Sequence, residues 1–300
     1  MSIELVEKIN ELRKQRNAVI LAHNYMMGEI QDIADFTGDS LELSRKAAAV
    51  ENPIIVFCGV HFMAETAKIL SPEKTVLIPD PNAGCPMADM ITAEGLRDFK
   101  RAHPGVPVVA YVNTSAEVKA ESDICCTSAN AVKVVESMES DTVLFVPDKS
   151  LAAHVASKTG KKVIAYSGFC PTHHRIISQD VIKAKREHPE AMVVAHPECM
   201  MEVLKLADAI ESTSGMLRYV KESPVKEFIM CTERGLLHSL KKANPDKVFY
   251  NPSPLNICPN MKKITLEKVL WSLQDMVHEI TMPIDMMDRA RAAIEGMVRI

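Results

Sequence analysis

The stretch VILAHNY at residues 19–25 returns as VVAYVN at 108–113 and again as VVAHPE at 193–198. Each is an apolar strand pattern that closes on a polar cluster. His23, Tyr111 and His196 stand 88 and 85 residues apart. Asp35, Asp123 and Asp208 keep the same two intervals, and so do Ser40, Ser128 and Thr213. Three sets in step across a chain of 300 residues amount to an internal repeat, and the fold must accommodate it.

The repeat extends outward from these strands. A second apolar run recurs as IIVFCG (54–59), TVLFVP (142–147) and EFIMCT (227–232), and another as TVLIPD (75–80), KKVIAYS (161–167) and DKVFYNP (246–252). Each unit opens on a charged amphipathic segment: IELVEKINELRKQ, TAEGLRDFKRAHP and SQDVIKAKREHP. The pattern per unit is helix, strand, helix, short strand, helix, strand, helix, strand, then a loop. Strands alternating with helices predict parallel sheets covered by helices. The expected architecture is α/β, with three homologous αβα lobes, each built on a short parallel sheet, around a pseudo-threefold axis. The lobes cover 1–86, 87–171 and 172–300, the last including two added C-terminal helices (LEKVLWSLQDMV and IDMMDRARAAIEGMV) that pack back on the body.

Composition narrows the function. A net charge of −4 gives no reason to expect nucleic acid or an anionic membrane surface, and 5% aromatic content argues against a platform for stacking bases. No apolar run reaches membrane-span length, and the charged start is not a signal peptide, so a cytoplasmic protein is expected. In that compartment, eight cysteines read as thiols or metal ligands rather than as a disulfide framework. There is no GxGxxG, P-loop or GxSxG motif.

Three of the cysteines are singled out by their neighbour. Eight cysteines and 17 prolines would give roughly half of one Cys-Pro pair by chance. The chain has three, Cys85-Pro86, Cys170-Pro171 and Cys258-Pro259, in phase with the repeat. Proline pushes the preceding residue toward extended backbone and removes an N–H. Three lobes around an axis would bring the three thiols together. Two metal readings are open: a [4Fe-4S] cluster with one iron free for substrate, or zinc with His173 as a fourth ligand. Cys58, Cys125, Cys126, Cys199 and Cys231 lie on or beside apolar runs and read as buried structural thiols.

Ligands gather beyond the carboxyl ends of parallel strands. Those ends carry His23, Tyr25, Tyr111, Asn113, His196 and Glu198, with His and Glu as proton carriers. Ser40, Ser128 and Thr213 precede helical patterns and read as N-caps, so that three helix N-termini would face a small polyanion. His173 is expected to line the site and His174 to be exposed.

LAHNY, GDS, FMAETAKIL, CPMA, YVNTSAE, TSANAV, HPE and NMKKITLE, with the three spaced cysteines, make the chain similar to the quinolinate synthase family over nearly its whole length. That resemblance implies three αβα lobes around one [4Fe-4S] cluster held by Cys85, Cys170 and Cys258, and a role in NAD biosynthesis. It implies condensation of iminoaspartate with dihydroxyacetone phosphate to quinolinate, with loss of phosphate and water and the open iron acting as Lewis acid. Substrate contacts would come from His23, Ser40, Tyr111, Val112, Asn113, Ser128, His173, His196, Pro197, Glu198 and Thr213. Glu198, Tyr25 and His196 would be the catalytic residues. An aspartate-oxidising enzyme would be the partner supplying the imine.

Overall fold

A computed structural model of the chain describes residues 3–300. It contains three four-stranded sheets, every strand pair parallel. The first holds β1 (Ala18–His23), β2 (Phe36–Gly38), β3 (Ile54–Cys58) and β4 (Thr75–Leu77). The second holds β5 (Val108–Tyr111), β6 (Ile124–Cys126), β7 (Thr142–Val146) and β8 (Lys162–Ala165). The third holds β9 (Met192–Ala195), β10 (Ala209–Ile210), β11 (Glu227–Cys231) and β12 (Val248–Tyr250). All three have one order, in which the first strand lies between the second and the third, with the fourth outermost. Chain direction across the sheet reverses beside β1, β5 and β9, which is where a ligand crevice opens in such sheets.

The repeated aspartates explain how each sheet starts. Asp35 accepts from Ile20 N–H at 2.8 Å, Asp123 from Val108 at 2.7 Å and Asp208 from Val193 at 2.8 Å. Each also returns its own N–H to the carbonyl of the same partner. The short second strand is thus pinned to the first by a side chain that satisfies a buried donor. These three residues are structural, although their spacing matches that of the site residues.

The capping expectation needs correction. The N-caps are Asp39 and Ser212, one residue before Ser40 and Thr213. Asp39 accepts from Leu41 and Glu42 N–H at 3.0 Å in a capping box, and Ser212 accepts from Gly215 N–H at 3.1 Å. In the second lobe the helix starts only at Ala131. Thr127 Oγ1 accepts from Ala129 N–H at 3.2 Å, and Asn130 Oδ1 accepts from Thr127 N–H at 2.8 Å, leaving Ser128 in the turn between. A cap needs extended backbone and an acceptor, which Asp39 and Ser212 provide. Ser40, Ser128 and Thr213 are thereby released from capping. Ser212→Ala is expected to cost about 1 kcal/mol of stability, read as a shift of the urea midpoint.

The core runs through all three sheets, and the predicted added helices fold back. Helix Ile284–Arg299 lies over β6 and the helices His61–Leu70 and Ala116–Ala120. Arg291 Nε donates to the Ile69 carbonyl at 3.1 Å, and Asn130 Nδ2 donates to the Met297 carbonyl at 3.0 Å. The C-terminal helix thus ties the first two lobes together. No helix among the described residues is long and apolar enough to cross a membrane.

Candidate active site

One cavity lies where the three sheets point their first strands. The first lobe contributes His23, Tyr25, Ser40 and Cys85. The second contributes Tyr111, Asn113, Ser128 and Cys170, and the third His173, His196, Glu198, Thr213 and Cys258. Val112 and Pro197 are buried between lining residues but are not among them. Val112 instead gives its N–H to the Cys126 carbonyl at 2.8 Å, and so shapes the turn that presents Tyr111 and Asn113. His174 is half-buried rather than exposed. Its ring stacks on Phe169 and its Nε2 lies 2.8 Å from Ser150 Oγ.

Two lobes use the same histidine turn. His23 Nδ1 accepts from Tyr25 N–H at 3.1 Å, and His196 Nδ1 accepts from Glu198 N–H at 3.2 Å. An accepting Nδ1 assigns the proton of the neutral ring to Nε2, which becomes a donor. Burial keeps both rings neutral, pushing His23 down to about 4 and His196 down to about 3. The unfolded chain protonates His23 near pH 6.5, and the folded chain only near 4. Between these values the unfolded state holds more protons, so stability falls as the pH drops. From pH 7 to pH 5 the wild type is expected to lose on the order of 1–2 kcal/mol more than His23→Asn, measured by urea unfolding at each pH.

A chain of hydrogen bonds crosses the lobes. Thr213 Oγ1 donates to Tyr25 OH at 3.0 Å, and Tyr25 OH lies 2.7 Å from Thr232 Oγ1. Thr232 Oγ1 is 3.1 Å from His173 Nε2, and His173 Nδ1 is 2.6 Å from Glu198 Oε2. Tyr111 OH donates to Glu198 Oε1 at 2.5 Å. His173 also stacks on His196, ring centres 4.6 Å apart, and its Nδ1 lies 3.3 Å from Cys170 Sγ. Burial alone would raise Glu198. The His173 and His196 rings that face it, with hydrogen bonds from His173 and Tyr111, outweigh it and hold Glu198 as a carboxylate. Burial and the Glu198 charge raise both Tyr25 and Tyr111, which keep their protons.

No lysine or arginine among the described residues lines this cavity. An anion here meets two histidine N–H groups, the hydroxyls of Ser40 and Ser128, and the N-termini of helices Ser40–Ala49 and Thr213–Glu222, beside the carboxyl groups of Asp39, Glu198 and Glu233. Asn113 Oδ1 is buried without a partner, an amide end open to a ligand. The sequence reading missed Asp39, Thr232 and Glu233. Thr232 closes the recurring run EFIMCT, so its place at a strand end was the available signal. Glu233, in an ordinary charged loop, carried none.

The three thiols differ from the other five by position. Cys58, Cys125, Cys126, Cys199 and Cys231 are buried in the sheets and core, as expected. Burial pushes the Cys85 thiol up to about 12 and raises Cys170 and Cys258 as well. Only a bound cation would make these three sulfurs thiolates near neutral pH.

The chain matches the family described as Quinolinate synthetase A protein over residues 7–299. It is 58% identical over 297 residues to a quinolinate synthase of Methanosarcina barkeri, covering 99% of this chain and 98% of the relative. It is 58% identical over 293 residues to a quinolinate synthase of Dehalococcoides mccartyi, covering 98% and 97%. It is 55% identical over 294 residues to one from Thermodesulfovibrio yellowstonii, again covering 98% and 97%.

Proposed function

We propose a reaction for this cavity from one premise: the chain belongs to the quinolinate synthetase A family. The reaction is condensation of iminoaspartate with dihydroxyacetone phosphate to quinolinate, releasing phosphate and water, as a step toward NAD. The observation that carries the reading is that each lobe sends one Cys-Pro cysteine and one polar strand end into the same cavity. The lobe boundaries 1–86, 87–171 and 172–300 belong to the same reading, since each span contains one complete sheet and one of these cysteines.

The donor set suits a [4Fe-4S] cluster better than zinc. Among the described residues, the only three His, Cys, Asp or Glu donors within 4.8 Å of one another are Cys170, His173 and Glu198. That group does not bring the three cysteine sulfurs together. One tetrahedral zinc with bonds of about 2.3 Å would need them about 3.8 Å apart. Cys85, Cys170 and Cys258 would hold the cluster, which with three protein ligands would leave one iron open to substrate and would supply Lewis-acid assistance to dehydration.

The residues of the chain do the rest. Ser40, Ser128 and the helix N-termini, that of Thr213 included, hold the phosphate, while the Thr213 hydroxyl stays on Tyr25; His23 and His196 donate Nε2–H to carboxylates. Asn113 turns its free amide end to the substrate. Glu198 accepts a proton at Oε1 or Oε2 and passes it through His173 and Thr232 toward Tyr25, which is placed by Thr213. Orienting two small molecules in one buried cavity removes up to about 7–11 kcal/mol of barrier. Enclosure also protects an imine from hydrolysis. Because oxidation of aspartate yields that imine, an aspartate-oxidising enzyme is the partner we expect, in the cytoplasm. The test is to purify the protein without oxygen, measure iron, sulfide and visible absorbance, and assay quinolinate from the two substrates. A colourless zinc protein, or a brown one that forms no quinolinate, would overturn the proposal.

A further inference from the structure

Glu233 is fully buried at the edge of the cavity, and the hydrogen-bond chain from Thr213 to Tyr111 does not use it. Its Oε1 accepts from the Cys258 N–H at 3.1 Å and lies 3.0 Å from Lys262 Nζ. Its Oε2 accepts from the Gly235 N–H at 2.5 Å. Lys262 in turn donates to the carbonyl of Tyr25. Gly235 packs against that same carbonyl so closely that a Cβ there would sit 2.6 Å from its oxygen. One buried carboxylate and one lysine therefore join the Cys258 loop of the third lobe to the Tyr25 backbone of the first.

The arrangement is over-determined for a mere loop contact. A buried carboxylate is costly unless it is paired and hydrogen-bonded, and Glu233 is satisfied on both oxygens. Its bonds go to two backbone N–H groups whose positions it thereby sets. Lys262 has its own second duty on the far side of the lobe junction. Losing either partner would leave the other unmatched and free the Cys258 loop from Tyr25.

We propose that Glu233 and Lys262 are a positioning pair that fixes Cys258 and Tyr25 as one unit, so that retention of the cluster and placement of a proton carrier are linked. The inference rests on the reading of Cys258 as a cluster ligand. Neither residue is given a role with the reacting atoms; both act through Cys258 and Tyr25.

The experiment uses anaerobically purified, cluster-loaded protein. Loss of visible absorbance is followed under an iron chelator, with kcat, KM and the thermal midpoint measured in parallel. K262M is expected to release its cluster about tenfold faster than wild type, within the range for lost outer support of a metal site. Its kcat should fall more than its KM rises, since placement rather than binding is damaged. K262R should restore both. K263M is the control: the Lys263 side chain bonds the Asn82 carbonyl, and its release rate should match wild type. Should K262M fail to fold, E233D, which keeps the charge and shortens the reach to Cys258, is read in the same way. A lowered thermal midpoint with a wild-type release rate would mean ordinary structural support and would overturn the inference. If the wild type has no visible band, the cluster reading fails and this inference falls with it. If the wild type is brown and active while the variant releases its cluster at the same rate, only this inference fails.

Discussion

Cys170→Ser is expected to yield a colourless protein whose quinolinate formation is reduced by at least about 100-fold, the upper end of what lost support of a metal site costs. Cys170 precedes Pro171, which opens the short helix Pro171–His174, and its extended backbone sends the side chain into the cavity. A serine oxygen would fill nearly the same space but offers iron a hard, poorly acidic ligand in place of a thiolate. The matched control is Cys231→Ser. Cys231 is more deeply buried than Cys170 and ends β11, but it does not line the cavity. Its bonds to His196 and Cys199 run through its carbonyl, which serine retains. Colour and activity should survive there, at a cost of about 1–3 kcal/mol for a buried hydroxyl. Iron content, visible absorbance and turnover measured side by side decide the matter. A brown, active Cys170 variant would remove that residue from the ligand set.

Glu198→Gln is expected to stay brown and to lose about 10²–10⁴ in kcat, the usual contribution of a positioned proton carrier. Glutamine keeps the length of the side chain and can still accept from Tyr111 OH. It cannot carry the negative charge that faces His173 at 2.6 Å, and it cannot take up a proton at either position. Because Tyr111 and His173 bracket the side chain, its position should change little, so KM should move less than kcat. Steady-state kinetics with measured iron content would show this. Turnover near that of the wild type would take Glu198 out of the proton path and leave it as a packing residue for His173.

Much of this was readable in the chain because triplication makes tertiary neighbours visible as sequence intervals. A lone His23 or Cys85 carries little information. Three strand ends and three Cys-Pro pairs in step point to one axis, and the cavity contains both sets. The same logic overreached at Ser40, Ser128 and Thr213. Phase identified the right neighbourhood, but a cap is decided by backbone angles and by which side-chain oxygen meets an N–H two or three residues on. Asp39 and Ser212 meet that condition, and the phased hydroxyls follow them.

By itself, the order of residues determined the α/β class, the count of three lobes, the five core thiols and the set of strand ends that face inward. Periodicity and turn chemistry are local, and a repeat copies local rules three times. Only the tertiary structure separated Asp35, Asp123 and Asp208, which pin β2, β6 and β10 to their neighbours, from equally phased residues that line the cavity. Only it showed Thr232 joining Tyr25 to His173, and Glu233 joining Cys258 to Tyr25 by way of Lys262. The links to Tyr25 run between lobes, over separations of 207 and 237 residues, and a hydrogen bond depends on a distance of about 3 Å that no pattern along the chain encodes.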